Sequence, residues 1–121
     1  MTPAAARRLC LALPGAGESV QWGDNRVFKI GGKMFAVIAM DGRKFRGLSF
    51  KCAPDSFAIL TALPGIRPAP YLARASWVAL DRLDALPPDQ LGAYLARAHA
   101  LVAAKLPRAL RAALEAATGP T

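Results

Sequence analysis

Hydrophobic and polar positions change rhythm along the chain, and each change marks an element. Residues 3–13 place Ala6, Leu9, Cys10 and Leu13 at helical spacing, with Thr2 as N-cap, Pro3 in the first turn and Pro14-Gly15 as a stop. That spacing predicts a short amphipathic helix. From Ser19 the rhythm changes: RVFKI (26–30), KMFAVIAM (33–40) and GLSFKC (47–52) are rich in β-branched and aromatic residues and separated by turn signals, so they read as consecutive antiparallel strands. Gly31-Gly32 leaves two residues between the first pair, which suits the positive φ angles of a tight hairpin. The next connection, centred on Asp41-Gly42, reads as longer.

The middle strand is apolar on both faces, because Phe35 and Val37 alternate with Met34, Ala36 and Ile38, and it is expected to lie centrally with cover on each side. In the strand after it Leu48, Phe50 and Cys52 alternate with Ser49 and Lys51, giving one buried and one wet face. After Pro54, Asp55 is placed to cap a helix through SFAILTAL, ending near Leu63 before Pro64-Gly65. Pro68 and Pro70 then rule out a helix in IRPAPYL, while SWVALD (76–81) reads as a further strand. Pro87-Pro88-Asp89 opens a long helix carrying Leu91, Leu95, Ala98, Val102 and Leu106 on one stripe, and Pro107 separates RALRAALEAA from it. The fold class expected is therefore α+β, one compact domain over 1–121 with an antiparallel sheet and helices packed against it, in the order α-β-β-β-α-β-α-α. Residues 1–2 and the tail TGPT (118–121) are expected to fray.

Composition limits the functional classes. A chain of 121 residues with 54% hydrophobic content suits one core. The five-residue apolar run Leu9 to Leu13 is too short for an export signal, and no segment approaches the ~20 residues of a membrane span, so a cytoplasmic protein without a membrane partner is expected. Two distant cysteines and a single histidine form neither a zinc set nor a disulfide framework, and the thiols are expected buried and reduced. No metal and no cofactor are called for: GGK in IGGKMF has Val27 where a phosphate loop needs glycine, and GAGESV lacks the third glycine of a dinucleotide fingerprint. His99 lies near the apolar stripe of the long helix, and Asp81 and Asp84 suit turns and caps, so no catalytic residue is assigned and an enzyme is not expected.

The formal charge of +8 favours anionic partners, and it is concentrated. Residues 26–51 hold Arg26, Lys29, Lys33, Arg43, Lys44, Arg46 and Lys51 against Asp41 alone. Cations on a projecting hairpin suit a phosphate backbone, although hairpin tips are solvated in any case and edge lysines also block aggregation. Phe45 is free either to wedge against a base or to fold back on the sheet, and the second is the preferred reading.

WGDNRVFKIGGKMFAVI, LSFKC, PGIRPAPYLARASWVALD and AKLPRAL, in that order, resemble the MmcQ/YjbR family of small bacterial proteins over residues 9–114. The resemblance implies an α+β domain with two projecting elements, a double-wing DNA-binding motif. By position the first wing is Asp41 to Gly47 and the second Arg67 to Ser76, with Arg67 and Arg74 as its cations. The leading expectation is thus a DNA-binding protein that contacts phosphates through Arg43, Lys44, Arg46, Lys51, Arg67 and Arg74 with little sequence readout, a monomer being the favoured state. The alternative is a protein-interaction or small-ligand module built on the Pro-rich segment 66–72, in which Tyr71 and Leu72 carry the binding. Trp22 and Trp77 are expected to anchor the sheet to the helices.

Overall fold

The computed structural model describes residues 1–70 and 72–117, so Tyr71 and the tail 118–121 lie outside the described residues. The elements run α1 (Pro3–Ala12), β1 (Ala16–Gln21), β2 (Asn25–Ile30), β3 (Lys33–Asp41), β4 (Lys44–Lys51), α2 (Pro54–Leu60), β5 (Ile66–Pro68), β6 (Trp77–Leu80), α3 (Pro88–Ala103) and α4 (Arg108–Ala117). The class is α+β. All six strands join in one antiparallel sheet of order β1-β2-β3-β4-β6-β5, which places β3 and β4 at the centre.

Local chemistry accounts for most boundaries. Thr2 Oγ1 accepts a hydrogen bond from the Ala5 amide at 3.1 Å and Pro3 occupies the first turn, so α1 starts where the sequence places it. Residues 1–2 therefore carry contacts rather than hanging loose, for Met1 also rests against the core. Leu13, the residue before Pro14, is extended and ends the helix. Asp55 is not the N-cap of α2. Ala53 holds that position without a side-chain bond, Pro54 opens the helix, and Asp55 sits in its first turn, where a carboxylate still complements the helix dipole. The helix ends at Leu60, earlier than expected, and the Thr61 hydroxyl donates back to the Phe57 carbonyl at 2.8 Å.

Two strands escape the hydrophobic pattern. AGESVQ forms β1 although its side chains hardly alternate in polarity, because an edge strand needs only one paired neighbour and shows much of its surface to water. IRP forms β5 at the other edge, where Pro68 costs no interior ladder bond.

The core has two parts. Phe28, Ile30, Phe35, Ala36, Ile38, Leu48 and Phe50 face the helices and meet Ala6, Cys10, Leu91, Leu95 and Ala98. On the opposite face Val27, Val37, Trp77 and Ala79 are covered by Ala69 and Leu72 from the Pro-rich segment rather than by a helix. Trp77, 4% exposed, thus packs chiefly with that segment, and only at the end of the sheet does it border Val102 and Leu106. Pairing slips by one residue twice: Phe35 is the extra residue opposite Phe28 and Lys29, and Arg46 is the extra residue opposite Ala39 and Met40.

Gly31 and Gly32 form the β2–β3 turn at φ +58° and +80°. A Cβ added to Gly31 would come within 2.7 Å of Leu106 Cδ1 and 2.9 Å of Leu110 Cδ2, whereas one added to Gly32 meets open space. Gly31→Ala is therefore expected to cost about 2–4 kcal/mol, backbone strain plus overpacking, against about 1 kcal/mol for Gly32→Ala. Urea unfolding of the two variants measures the difference.

Candidate nucleic-acid interface

The β3–β4 hairpin carries three of the expected phosphate contacts. It is tighter than its sequence suggests, because both strands run to the tip: Asp41 pairs with Lys44, leaving only Gly42 and Arg43 as the turn, with Gly42 at φ +61°. Arg43, Lys44 and Arg46 are all exposed. Arg46 is the bulge residue, so it leaves the ordinary alternation of the strand, and bulges of this kind re-aim a side chain. Phe45 is half-buried against the helix-side core, which agrees with the fold-back reading.

The tip is braced by its neighbour. The β1–β2 turn brings Asp24 Oδ2 to accept from the Gly42 amide at 2.9 Å, and Asn25 Oδ1 accepts from the Met40 amide at 3.0 Å, beside the bulge. These two bonds give Asp24 and Asn25 of the WGDN stretch a bracing role that nothing in the sequence pattern signalled. They extend the ladder at the start of β2 and hold the cationic hairpin against the sheet. Asp24→Ala is expected to raise the amide exchange rate of Gly42 by about tenfold and to lower stability by about 1 kcal/mol, since one hydrogen bond to a charged group is lost. Exchange measured residue by residue tests this, with Met40 as the internal reference.

The remaining candidates lie elsewhere. Lys51 sits at the far end of β4, seven residues from Lys44 and so about 23 Å away along the strand. Its ammonium donates to the Ala75 carbonyl at 2.7 Å. Desolvation, and secondarily the Lys105 charge, push its pKa below the usual lysine range. Arg67 lies on the edge strand β5 and its Nε donates to Asp81 Oδ1 at 3.2 Å, so its charge is already partnered. Arg74 is exposed on a short 3-10 turn, Ala73–Ala75. The six cations thus form two groups, Arg43, Lys44 and Arg46 at one end of the sheet and Lys51 and Arg74 at the other, with Arg67 engaged on the edge.

Among the described residues of the segment 67–76, Ala69 is buried and Leu72 packs on the open face of the sheet, while Arg67, Pro68, Pro70 and Ala73 to Ala75 are exposed. Between this segment and the β1–β2 turn lies a groove of about 550 Å³, lined by Trp22, Asn25, Met34, Val37, Ala39, Ser49, Ala69, Pro70 and Leu72. Trp22 does not anchor the sheet to the helices as expected: it is 65% exposed and in the left-handed region at φ +51°. A bulky residue in that conformation is uncommon, and sequence offered no signal that this tryptophan would stand out of the core.

The other polar groups are engaged structurally. His99 Nε2 lies 2.6 Å from the Pro14 carbonyl, and its ring meets Phe35 edge-on. Asp81 is bonded to Arg67 and Asp84 to Arg82. Both cysteines are free and buried; burial pushes the Cys10 thiol up to about 12, and the Cys52 thiol is also raised by burial while its Sγ lies 3.2 Å from the Ser76 carbonyl. Such thiols are poor nucleophiles near neutral pH. Among the described residues no group of three or more His, Cys, Asp or Glu side chains is placed to hold a metal ion, and no helix is long and apolar enough to cross a membrane.

Comparison with known proteins gives the fold a context. The YjbR family model matches residues 11–101. A crystal structure of a Deinococcus radiodurans protein with a DUF419 domain superposes with a TM-score of 0.82 at 28% identity, covering 93% of this chain and 87% of that one. A Pseudomonas syringae protein superposes with a TM-score of 0.67 at 19% identity over 84% of this chain and 99% of its own, a likeness of fold alone. No curated protein sequence matches the chain.

Proposed function

The chain belongs to the YjbR family, and on that footing we propose that it is a non-enzymatic DNA-binding protein of the cytoplasm that grips the phosphate backbone through the two ends of its open sheet face. The observation that carries this reading is uncompensated charge. Among the described residues the cations with a carboxylate within 4.0 Å are Arg7, Arg67 and Arg82, and none of Arg43, Lys44, Arg46, Lys51 or Arg74 is among them. The one acid of the hairpin tip, Asp41, faces Lys44 across the strands without closing an ion pair. Arg43, Lys44, Arg46 and Arg74 are exposed and unpaired and keep their full attraction for phosphates, Lys51 is half-buried and bonded to the Ala75 carbonyl but has no carboxylate partner, and each contact releases counterions.

The roles divide accordingly. Arg43, Lys44 and Arg46 follow the backbone from the braced tip, and Lys51 and Arg74 do so from the other end of β4, a separation of about 23 Å along which a duplex presents about a dozen phosphate charges. Arg67 contributes least, since releasing it would leave Asp81 unpaired. Contacts of this kind position the protein without reading bases.

A second reading rests on the groove. Its walls are mostly apolar, the Pro-rich segment supplies Ala69, Pro70 and Leu72, and strained, exposed Trp22 stands at its edge. Strain retained at an exposed aromatic is a feature of binding sites, and the groove would take a peptide or small apolar ligand.

Five contacts give an expected slope of about −4.5 in log affinity against log salt, hence a loss of about 500-fold between 50 and 200 mM. Fluorescence anisotropy with a labelled duplex measures it. The triple change R43A/K44A/R46A is expected to reduce the slope to about −2, while Arg67→Ala leaves it nearly unaltered. Absence of binding at 50 mM salt, or a slope untouched by the triple change, overturns the reading; binding weakened by Leu72→Asp but untouched by R43A/K44A/R46A favours the groove.

A further inference from the structure

Three lysines from separate elements meet at one small cavity, away from the hairpin tip. Lys33 opens β3, Lys51 closes β4, and Lys105 follows the last turn of α3; together with Met34, Trp77 and Leu106 they line a cavity of about 300 Å³. Antiparallel pairing puts the start of β3 and the end of β4 at the same end of the sheet, and α3 delivers Lys105 there after crossing the helix side. No carboxylate lines the cavity, and among the described residues none of the three lysines closes an ion pair.

Each lysine has an ordinary alternative explanation, but together these explanations fall short. Lys105 complements the negative end of the α3 dipole. Lys33 and Lys51 are not at a helix terminus. A solubilising edge role does not suit them either, because β3 and β4 are interior strands with a neighbour on each side. Lys51 is held in place by its bond to the Ala75 carbonyl and loses solvation there, with Lys105 near enough to repel it. A partly desolvated ammonium with a like charge beside it raises the free energy of the empty protein, and an anion lodged between Lys51 and Lys105, within the cavity that Lys33 also lines, relieves it.

We propose that Lys33, Lys51 and Lys105 form a binding site for a small phosphate monoester whose apolar body rests on Met34, Trp77 and Leu106. The chemistry selects this class. Ammonium groups act as compact point charges and bind phosphate without the planar fork that carboxylates favour in arginine. A phosphate monoester carries about −1.5 to −2 charges near neutral pH, enough to engage three cations. The cavity lies at the small end of the range for ligand pockets, room for one ring and too little for a dinucleotide. The floor of Trp77, Val102 and Leu106 is buried and apolar, so a bare phosphate would leave it unfilled. The site stands apart from the DNA reading: Arg43, Lys44, Arg46 and Arg74 do not line it, and Lys51 alone is common to both.

Calorimetric titration of the whole chain with phenyl phosphate, and separately with inorganic phosphate, tests the proposal. Phenyl phosphate is expected to bind one to one, at least tenfold tighter than inorganic phosphate. Lys33→Gln and Lys105→Gln, both exposed positions that leave the core untouched, are each expected to weaken it at least tenfold, whereas R43A/K44A/R46A changes it by less than twofold. In the variant Trp22→Phe, which keeps Trp77 as the one tryptophan, phenyl phosphate is expected to alter the fluorescence saturably. Equal affinity for the two phosphates, no saturable binding, or a loss in the hairpin triple as large as in Lys105→Gln overturns it.

Discussion

The central strand β3 is apolar on both faces while the helices can cover only one. That single constraint shapes the rest of the molecule. On the helix side Phe35, Ala36 and Ile38 meet α1 and α3, and burial of this kind gives roughly 1.5–3 kcal/mol per large side chain. On the other side Val27 and Val37 would face water, so the Pro-rich segment after β5 crosses the sheet and lays Ala69 and Leu72 over them, with Trp77 as its anchor. The segment is too short to cover the whole face. What it leaves uncovered is the open surface that carries the groove, the exposed Trp22 and the polar positions of β4.

Charge follows the same division. The helix side uses its acids: Glu18 binds Arg7 bidentately, at 2.7 and 3.0 Å, and the guanidinium holds the Glu18 carboxyl below its usual range. At the sheet edge Asp81 is bonded to Arg67, and beyond β6 Asp84 to Arg82. Among the described residues Arg43, Lys44 and Arg46 at the hairpin tip, and Lys33, Lys51 and Lys105 at the far end of β3 and β4, close no ion pair, so these are two of the places where cations stand without a carboxylate partner. One group stands on an open tip, suited to a polymer of phosphates; the other rims a cavity with an apolar floor, suited to a small ligand.

Much of this was legible in the chain wherever one local interaction decides the structure. Thr2 caps, Gly31-Gly32 turns, Pro107 breaks, and the alternation in LSFK sorts Leu48 and Phe50 from Ser49 and Lys51, each for a reason contained in a few residues. What was not legible depends on partners distant in sequence. AGESVQ becomes a strand only because β2 offers it an edge. Arg46 becomes a bulge because the register slips opposite Ala39 and Met40, and Asp24 finds its partner 18 residues away at Gly42. The candidate site divides along the same line. The cluster Arg43 to Arg46 could be seen as a run of charge, but Lys105 joins Lys33 and Lys51 only once α3 has crossed the sheet, and no spacing announces that.

On the function proposed, the open sheet face, with its cations left unpaired at both ends, is the side that meets DNA. Titrating the isotope-labelled protein with a short duplex at low salt and following backbone amide shifts tests it most directly. The largest changes are expected at residues 42–47 and 73–76 and along the open face of β4, with α1 and the helix-facing positions of the core unmoved. Changes centred on α1 and α3 instead, or none at all at saturating duplex, would contradict it.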